Sequence, residues 1–164
     1  MMPEHGEIII YNTEDGLARI DVSMKDDTVW LTLDQMSELF QRDKSTVSRH
    51  IRNIFKEGEL NRGATVANFA TVQNEGNRRV ERKIEYYNLD VIISVGYRVK
   101  SIRGTQFRIW ARKVLKEYII KGFAMDDERL KDNGGGAYWK ELLERIRDIR
   151  SSEKLLYRQV LAVC

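Results

Sequence analysis

Few side chains in this sequence are placed to do covalent chemistry. His5 and His50 are its only histidines; His5 is expected in a frayed terminus, and His50 sits in a run of basic and hydroxyl residues, so neither has a partner for acid-base or metal work. Glu81-Arg82-Lys83 has the acidic-x-Lys spacing of a metal-dependent nuclease, with Asp90 as a second carboxylate, but any charged hairpin reaches that spacing by chance. Asp126-Asp127-Glu128 offers oxygen ligands on a polar stretch, where carboxylates more often cap a helix. Gly134-Gly135-Gly136 lacks the Lys-Ser/Thr of a phosphate-cradling loop, and no serine has an evident base. The expectation is no catalytic residue, no metal site, no cofactor and no enzyme.

The chemistry that remains is ionic and hydrogen-bonding recognition. Between Thr32 and Ile51 lie two short helical patterns. Met36, Leu39 and Phe40 give the first an inward face, and Ser37 is small enough for close helix approach. Asp43 can cap the second, whose inward face is Val47, Ile51 and Ile54. Its other side is polar throughout. Short hydroxyls near the front of a helix let it sit deep in a major groove, so Ser45, Thr46, Ser48 and Arg49 are the expected base readers, and Lys44 and Arg52 phosphate contacts. Gln41 occupies the turn where glycine is usual, which predicts a longer or strained turn. A strand, a loop at Gln73–Asn77 and a second strand follow, with Arg78, Arg79, Arg82 and Lys83 near the tip, suited to a phosphate backbone. Arg108 and Arg112, on the polar side of a later helix, complete the expected phosphate set.

Charge distribution agrees. Residues 1–40 carry two basic and nine acidic side chains, residues 41–122 eighteen and eight, and residues 123–164 eight of each. The net charge of +3 therefore hides a strongly basic middle. The longest apolar stretches, Ile8–Tyr11 and Val91–Ile93, fall far short of the roughly 20 residues of a membrane span. Cys164 is the only cysteine, which excludes a disulfide framework and makes a reducing cytoplasm the expected compartment.

The elements that must position these residues follow from pattern. Glu7–Tyr11 and Leu17–Ser23 around Asn12–Gly16 read as a hairpin, and Thr28–Leu31 as a third strand leading to Thr32 as a helix cap. Strands over Val66–Val72 and Arg78–Tyr87 form a second sheet. Asn88 caps a mostly buried helix, Leu89–Val99; a second helix, Thr105–Lys121, turns Phe107, Trp110, Ala111, Val114, Leu115 and Tyr118 inward and ends at Gly122. After a linker at 124–136, Trp139, Leu142, Ile146, Ile149, Glu153, Leu156, Val160 and Val163 follow a 3,4 alternation broken once by Glu153. The expected fold is α+β: a winged helix-turn-helix domain over 1–123 (helix-turn-helix 32–55, wing 65–87), with an amino-terminal antiparallel hairpin sheet, a helical pair and a separate helix over 137–164 that dimerises as a coiled coil or packs on its own domain.

Phe55-Lys-Glu-Gly-Glu-Leu60, Tyr86–Ile92, Val95-Gly-Tyr-Arg-Val-Lys-Ser101, Arg103–Ala111 and Gly122–Leu130 closely resemble the RhuM family of bacterial virulence-associated proteins, over about Gly6 to Val160. The resemblance implies association with pathogenicity islands and mobile elements. The second half is also similar to phage antirepressor and KilA-type DNA-binding modules, which implies the same recognition role. Family members continue past Tyr157–Val160, so any activity housed there is expected to lie outside this chain. The reading is a dimeric, sequence-specific binder of double-stranded DNA that regulates a mobile element or virulence locus. The alternative is a protein-interaction module, an adaptor or antitoxin-like partner, suggested by the acidic amino-terminal sheet and the heptads.

Overall fold

The computed structural model describes residues 4–8, 20–25, 28–131, 138–152, 158 and 161–162. They build an α+β chain in two compact units, Met1–Glu117 and Tyr118–Cys164. The first unit runs β1 (Glu4–Ile8), β2 (Ile20–Lys25), β3 (Thr28–Thr32), α1 (Leu33–Phe40), α2 (Lys44–Lys56), α3 (Arg62–Thr65), β4 (Val66–Glu75), β5 (Arg78–Asn88), α4 (Leu89–Arg98) and α5 (Ile102–Lys121), whose last turn, from Tyr118, belongs to the second unit.

The strands form one antiparallel sheet in the order β1-β2-β3-β5-β4, not the two sheets the pattern predicts. Three residue pairs make the junction, Trp30↔Asn88, Leu31↔Tyr87 and Thr32↔Tyr86. Local pattern does not encode a pairing between strands so far apart in sequence. β1 lies earlier than the expected Glu7–Tyr11, yet Ile8 opposite Ile20 keeps the register of a turn at 12–16; that turn falls outside the described residues. Strand alternation divides the apolar residues between two clusters. Val29, Leu31 and Tyr87 face the main core with α1, α2, α4 and the first half of α5. Trp30, Phe69 and Tyr86 form an aromatic cluster on the other face, with ring centroids 6.1 Å apart for Trp30–Phe69 and 5.1 Å for Phe69–Tyr86, both edge-to-face. Pairing in the β4–β5 hairpin continues to Glu75↔Arg78, so the predicted five-residue loop is a two-residue turn, Gly76-Asn77, with Gly76 at φ 62°.

Caps set the helices. Thr32 and Gln35 form a reciprocal capping box on α1, with Thr32 N–H donating to Gln35 Oε1 at 2.8 Å and Gln35 N–H to Thr32 Oγ1 at 3.2 Å. The turn after α1 is short, and its strain is localised: Gln41 is left-handed, φ 48°. It closes with Gln41 N–H donating to Glu38 O, Arg42 N–H to Ser37 O, and the Ser37 hydroxyl to Arg42 O. Asn88 caps α4, accepting from Val91 N–H at 3.3 Å. α5 starts three residues before the expected Thr105 because Ser101 caps it, its hydroxyl accepting from Gly104 N–H at 2.9 Å and donating to Phe40 O at 2.7 Å.

Phe107 is the packing centre of α5, fully buried and edge-to-face with Phe40 at 5.9 Å. It lies directly over Gly96 of α4, where a Cβ would come within 2.5 Å of its ring. Phe107, Trp110 and Ala111 pack against the core as expected, but Val114 is 36% exposed, Leu115 50% and Tyr118 60%. The inward stripe of α5 thus outruns the core it serves.

In the second unit, Asp126 Oδ1 accepts from Arg129 N–H at 3.1 Å and caps α6 (Asp127–Lys131). Helix α7 (Tyr138–Ser151) buries no residue. Trp139, Leu143, Ile146 and Ile149 are exposed along it. The heptad positions Glu153, Leu156, Val160 and Val163, like the three glycines, lie outside the described residues.

Gly96→Ala is expected to destabilise the first unit by about 1–3 kcal/mol, the cost of overpacking a filled core. Urea unfolding followed by circular dichroism should show a lower midpoint with an unchanged slope; an unchanged midpoint would mean that Phe107 can move away from α4.

Candidate nucleic-acid interface

α2 presents its polar side because its apolar residues are used elsewhere: Val47, Ile51 and Ile54 are buried against α1 and α4. Ser45, Arg49, Arg52 and Lys56 recur at helical spacing on the exposed side. Among the described residues, no carboxylate pairs with Arg49, Arg52 or Lys56. Such a face can neutralise a row of phosphates or offer donors to base edges.

Two expected base readers have other work. The Ser45 hydroxyl donates to Asp43 Oδ2, while Thr46 donates to the same carboxylate through Oγ1 at 2.8 Å and its backbone N–H at 3.1 Å. Residues at the second and third positions of a helix are where hydroxyls meet a capping acid. Ser45 and Thr46 are therefore cap partners first, left with acceptor oxygens only. Hydrogen bonds from the Ser45 and Thr46 hydroxyls and the Thr46 N–H hold the Asp43 carboxyl down at about 2. Ser48 is half-buried and Arg49 exposed. Lys44 forms an exposed ion pair with Asp34 at 2.5 Å.

The hairpin register sorts the tip cations into two faces. Arg79 and Lys83 share the side of Glu85 and Tyr87, where the helices pack, whereas Arg78 and Arg82 share the side of Ile84 and Tyr86. Arg82 is paired with Glu75 at 2.5 Å. Arg62 of α3 couples the hairpin to α2: it pairs with Glu85 at 2.6 Å and stacks its guanidinium 5.7 Å over the Phe55 ring. Glu85 also accepts from the Tyr87 hydroxyl at 2.9 Å. Burial first, then that hydrogen bond, pushes the Tyr87 phenol up to about 12.

Arg108 leaves the expected phosphate set. Its guanidinium donates to Gly96 O at 3.1 Å, Val99 O at 2.7 Å and Thr105 Oγ1 at 3.3 Å, closing the carboxy-terminal end of α4. A helical wheel puts it on the polar side of α5, but a long arginine stem reaches back to those carbonyls. Arg112 is exposed, about 16 Å along α5 from the Ser101 cap.

Sequence reasoning missed the groups on the other flank of α2. Arg98 forks between Glu57 and Glu59 at 2.6 Å each, and both carboxylates raise its already high pKa. Ser94 donates to Glu59 at 3.3 Å. His50 is held below its usual value by burial, then by the charges of Arg49, Arg98 and Arg42. The signal lay in Phe55–Leu60 and Val95–Ser101, two motifs noted for resemblance whose charges interlock. The nuclease-like Glu81 lies near the tip end of β5 and Asp90 in the first turn of α4, with about 23 Å of strand between Glu81 and Asn88. Among the described residues, no group of three acids, histidines or cysteines is placed to hold a metal, and no helix is long and apolar enough to cross a membrane.

A family model described as the virulence protein RhuM family matches residues 64–164. The chain belongs to the RhuM family. The RhuM match begins in α3 and takes in the hairpin, α4, α5 and the second unit, leaving β3, α1 and α2 ahead of it. No curated protein and no solved structure matches this RhuM chain.

The depressed Asp43 carboxyl stabilises α2 above the unfolded value near 4, and that stabilisation disappears as pH falls toward about 2. Asp43→Ala should lower Tm by several degrees at pH 6, with the gap narrowing as pH falls from 4 to 2.5 in thermal melts read by circular dichroism. A gap constant across that range would exclude the cap as the source.

Proposed function

We propose that this RhuM protein is a sequence-specific DNA-binding protein that folds as a winged helix-turn-helix and acts in the cytoplasm as a transcriptional regulator of a mobile element or virulence locus. The observation that carries the reading is the exposed side of α2, with Arg49, Arg52 and Lys56 unpaired among the described residues and a hairpin beside it. In this reading α1 supports, α2 enters the major groove and β4–β5 is the wing. Arg49 reads a guanine edge, with Ser48 beside it and Ser45 and Thr46 as acceptors. Lys44, Arg52, Arg79 and Lys83 hold phosphates, and Arg78 and Arg82 meet backbone on the outer side of the wing. Arg112, exposed on α5, is a further phosphate contact in this reading, and no step requires a metal, a cofactor or catalysis.

A second reading concerns partners. On α7, Trp139, Ile146 and Ile149 are exposed and Leu142 half-buried, which favours a protein partner; we assign the stripe to a second copy of the chain through 137–164, with a different protein as the alternative. Arg145 and Arg150 flank the stripe, and a parallel self-paired coiled coil brings Arg145 of one helix opposite Arg150 of the other. Self-association should therefore strengthen with salt, opposite to DNA binding.

Fluorescence anisotropy on the protein's own upstream region should give a log-log salt slope of several units and tighter binding than on random duplex. Arg49→Ala should narrow that preference by about 1–3 kcal/mol. Salt-independent binding, or equal binding to both duplexes by the unmodified protein, would defeat the sequence-specific reading. For the second reading, sedimentation equilibrium should find a dimer tightening with salt, and Ile146→Glu should return it to monomer; a monomer at every salt concentration would leave the stripe to a different protein.

A further inference from the structure

We propose that Arg42 and Lys100 form a second phosphate-binding rim beside α2, on the flank away from the hairpin, for the DNA backbone strand that the hairpin does not hold. The inference rests on the DNA-binding reading and extends it to residues outside the expected set. Its basis is how the chain passes around α2. His50 and Phe55 are five residues apart, which separates them by about 140° around the helix, one on each side of the buried Val47–Ile51–Ile54 face. The Phe55 flank is tied to the hairpin through Arg62 and Glu85. The His50 flank meets Arg98 and Arg42, whose charges both bear on that histidine.

Two contacts fix the rim. The Ser101 hydroxyl donates to Phe40 O at 2.7 Å, so the α4–α5 connection carrying Lys100 leaves the fold beside the Gln41-Arg42 turn. Arg42 itself is held at its backbone, its N–H donating to Ser37 O at 3.0 Å and its carbonyl accepting from the Ser37 hydroxyl. Two acids on this flank, Glu57 and Glu59, are occupied, since both clasp Arg98. Arg42 and Lys100 are exposed, and among the described residues neither has a carboxylate partner. An α-helix seated in a major groove is bordered by two phosphate backbones. With basic groups on both flanks of α2, each border meets a set: Arg79 and Lys83 on one, Arg42 and Lys100 on the other.

The test is a salt titration of the full chain on a random-sequence duplex, which reads phosphate contacts without base readout. Replacing Arg42 and Lys100 together by alanine should lower the log-log slope by about two, and adding Arg79→Ala and Lys83→Ala should lower it by about two more. The charge-keeping pair Arg42→Lys with Lys100→Arg should restore the slope, which separates charge from any effect on folding. An Arg42→Ala/Lys100→Ala protein that keeps the full slope, while the unmodified chain binds with a steep one, would overturn the rim and leave the DNA reading standing. Absence of salt-dependent binding by the unmodified chain would overturn both.

Discussion

Three residue pairs between β3 and β5 hold the first unit together. Thr32 stands at one end of that joint and caps α1; Asn88 stands at the other and caps α4. Between them Leu31 and Tyr87 point into the main core, while Trp30 and Tyr86 supply the aromatic cluster on the opposite face. Helix launch, core and second cluster thus share one register. A slip of one residue would turn each strand's side chains to the wrong face and misplace both caps.

The orientation of α2 is fixed from behind. Phe107 fills the space above Gly96 and against Phe40, which seats α5 on α4 and α1 together. Around that contact, polar groups serve the same end: Arg108 closes α4, Ser101 joins α5 to the last carbonyl of α1, and Arg98 draws the loop after α2 toward α4. These side chains bear on the basic face without being part of it. The apolar packing supplies the stability, and the hydrogen bonds choose the geometry in which it is realised.

What could be read from the sequence was whatever depends on neighbours within a turn or two. Thr32, Asp43 and Asn88 cap the helices they precede, and the inward faces of α1 and α2 are those that a 3.6-residue period selects. The expected spans 32–55 and 65–87 differ from α1–α2 and β4–β5 by one residue at each end. Distance in sequence and reach of side chains account for the rest. The β3–β5 joint unites residues more than fifty positions apart, so two hairpin patterns looked like two sheets. Arg108 fell on the polar side of a wheel that takes no account of a stem long enough to reach backbone carbonyls. Ser45 and Thr46 read as free base contacts because the sequence alone does not show both hydroxyls turned to the Asp43 cap, and α5 carries apolar residues past the end of the core because its period continues where its partners stop.

The hairpin pairs from Val66↔Tyr87 to Glu75↔Arg78 without a bulge, and both of its faces are cationic near the tip. An inserted or deleted residue in one strand normally costs a sheet its sidedness, since inward and outward residues trade places. Here the exchange would bring Arg78 and Arg82 to the side that Arg79 and Lys83 occupy. The basic character of the arm's tip therefore does not depend on which of its faces is presented, whereas α2 has one arginine face and one way to present it.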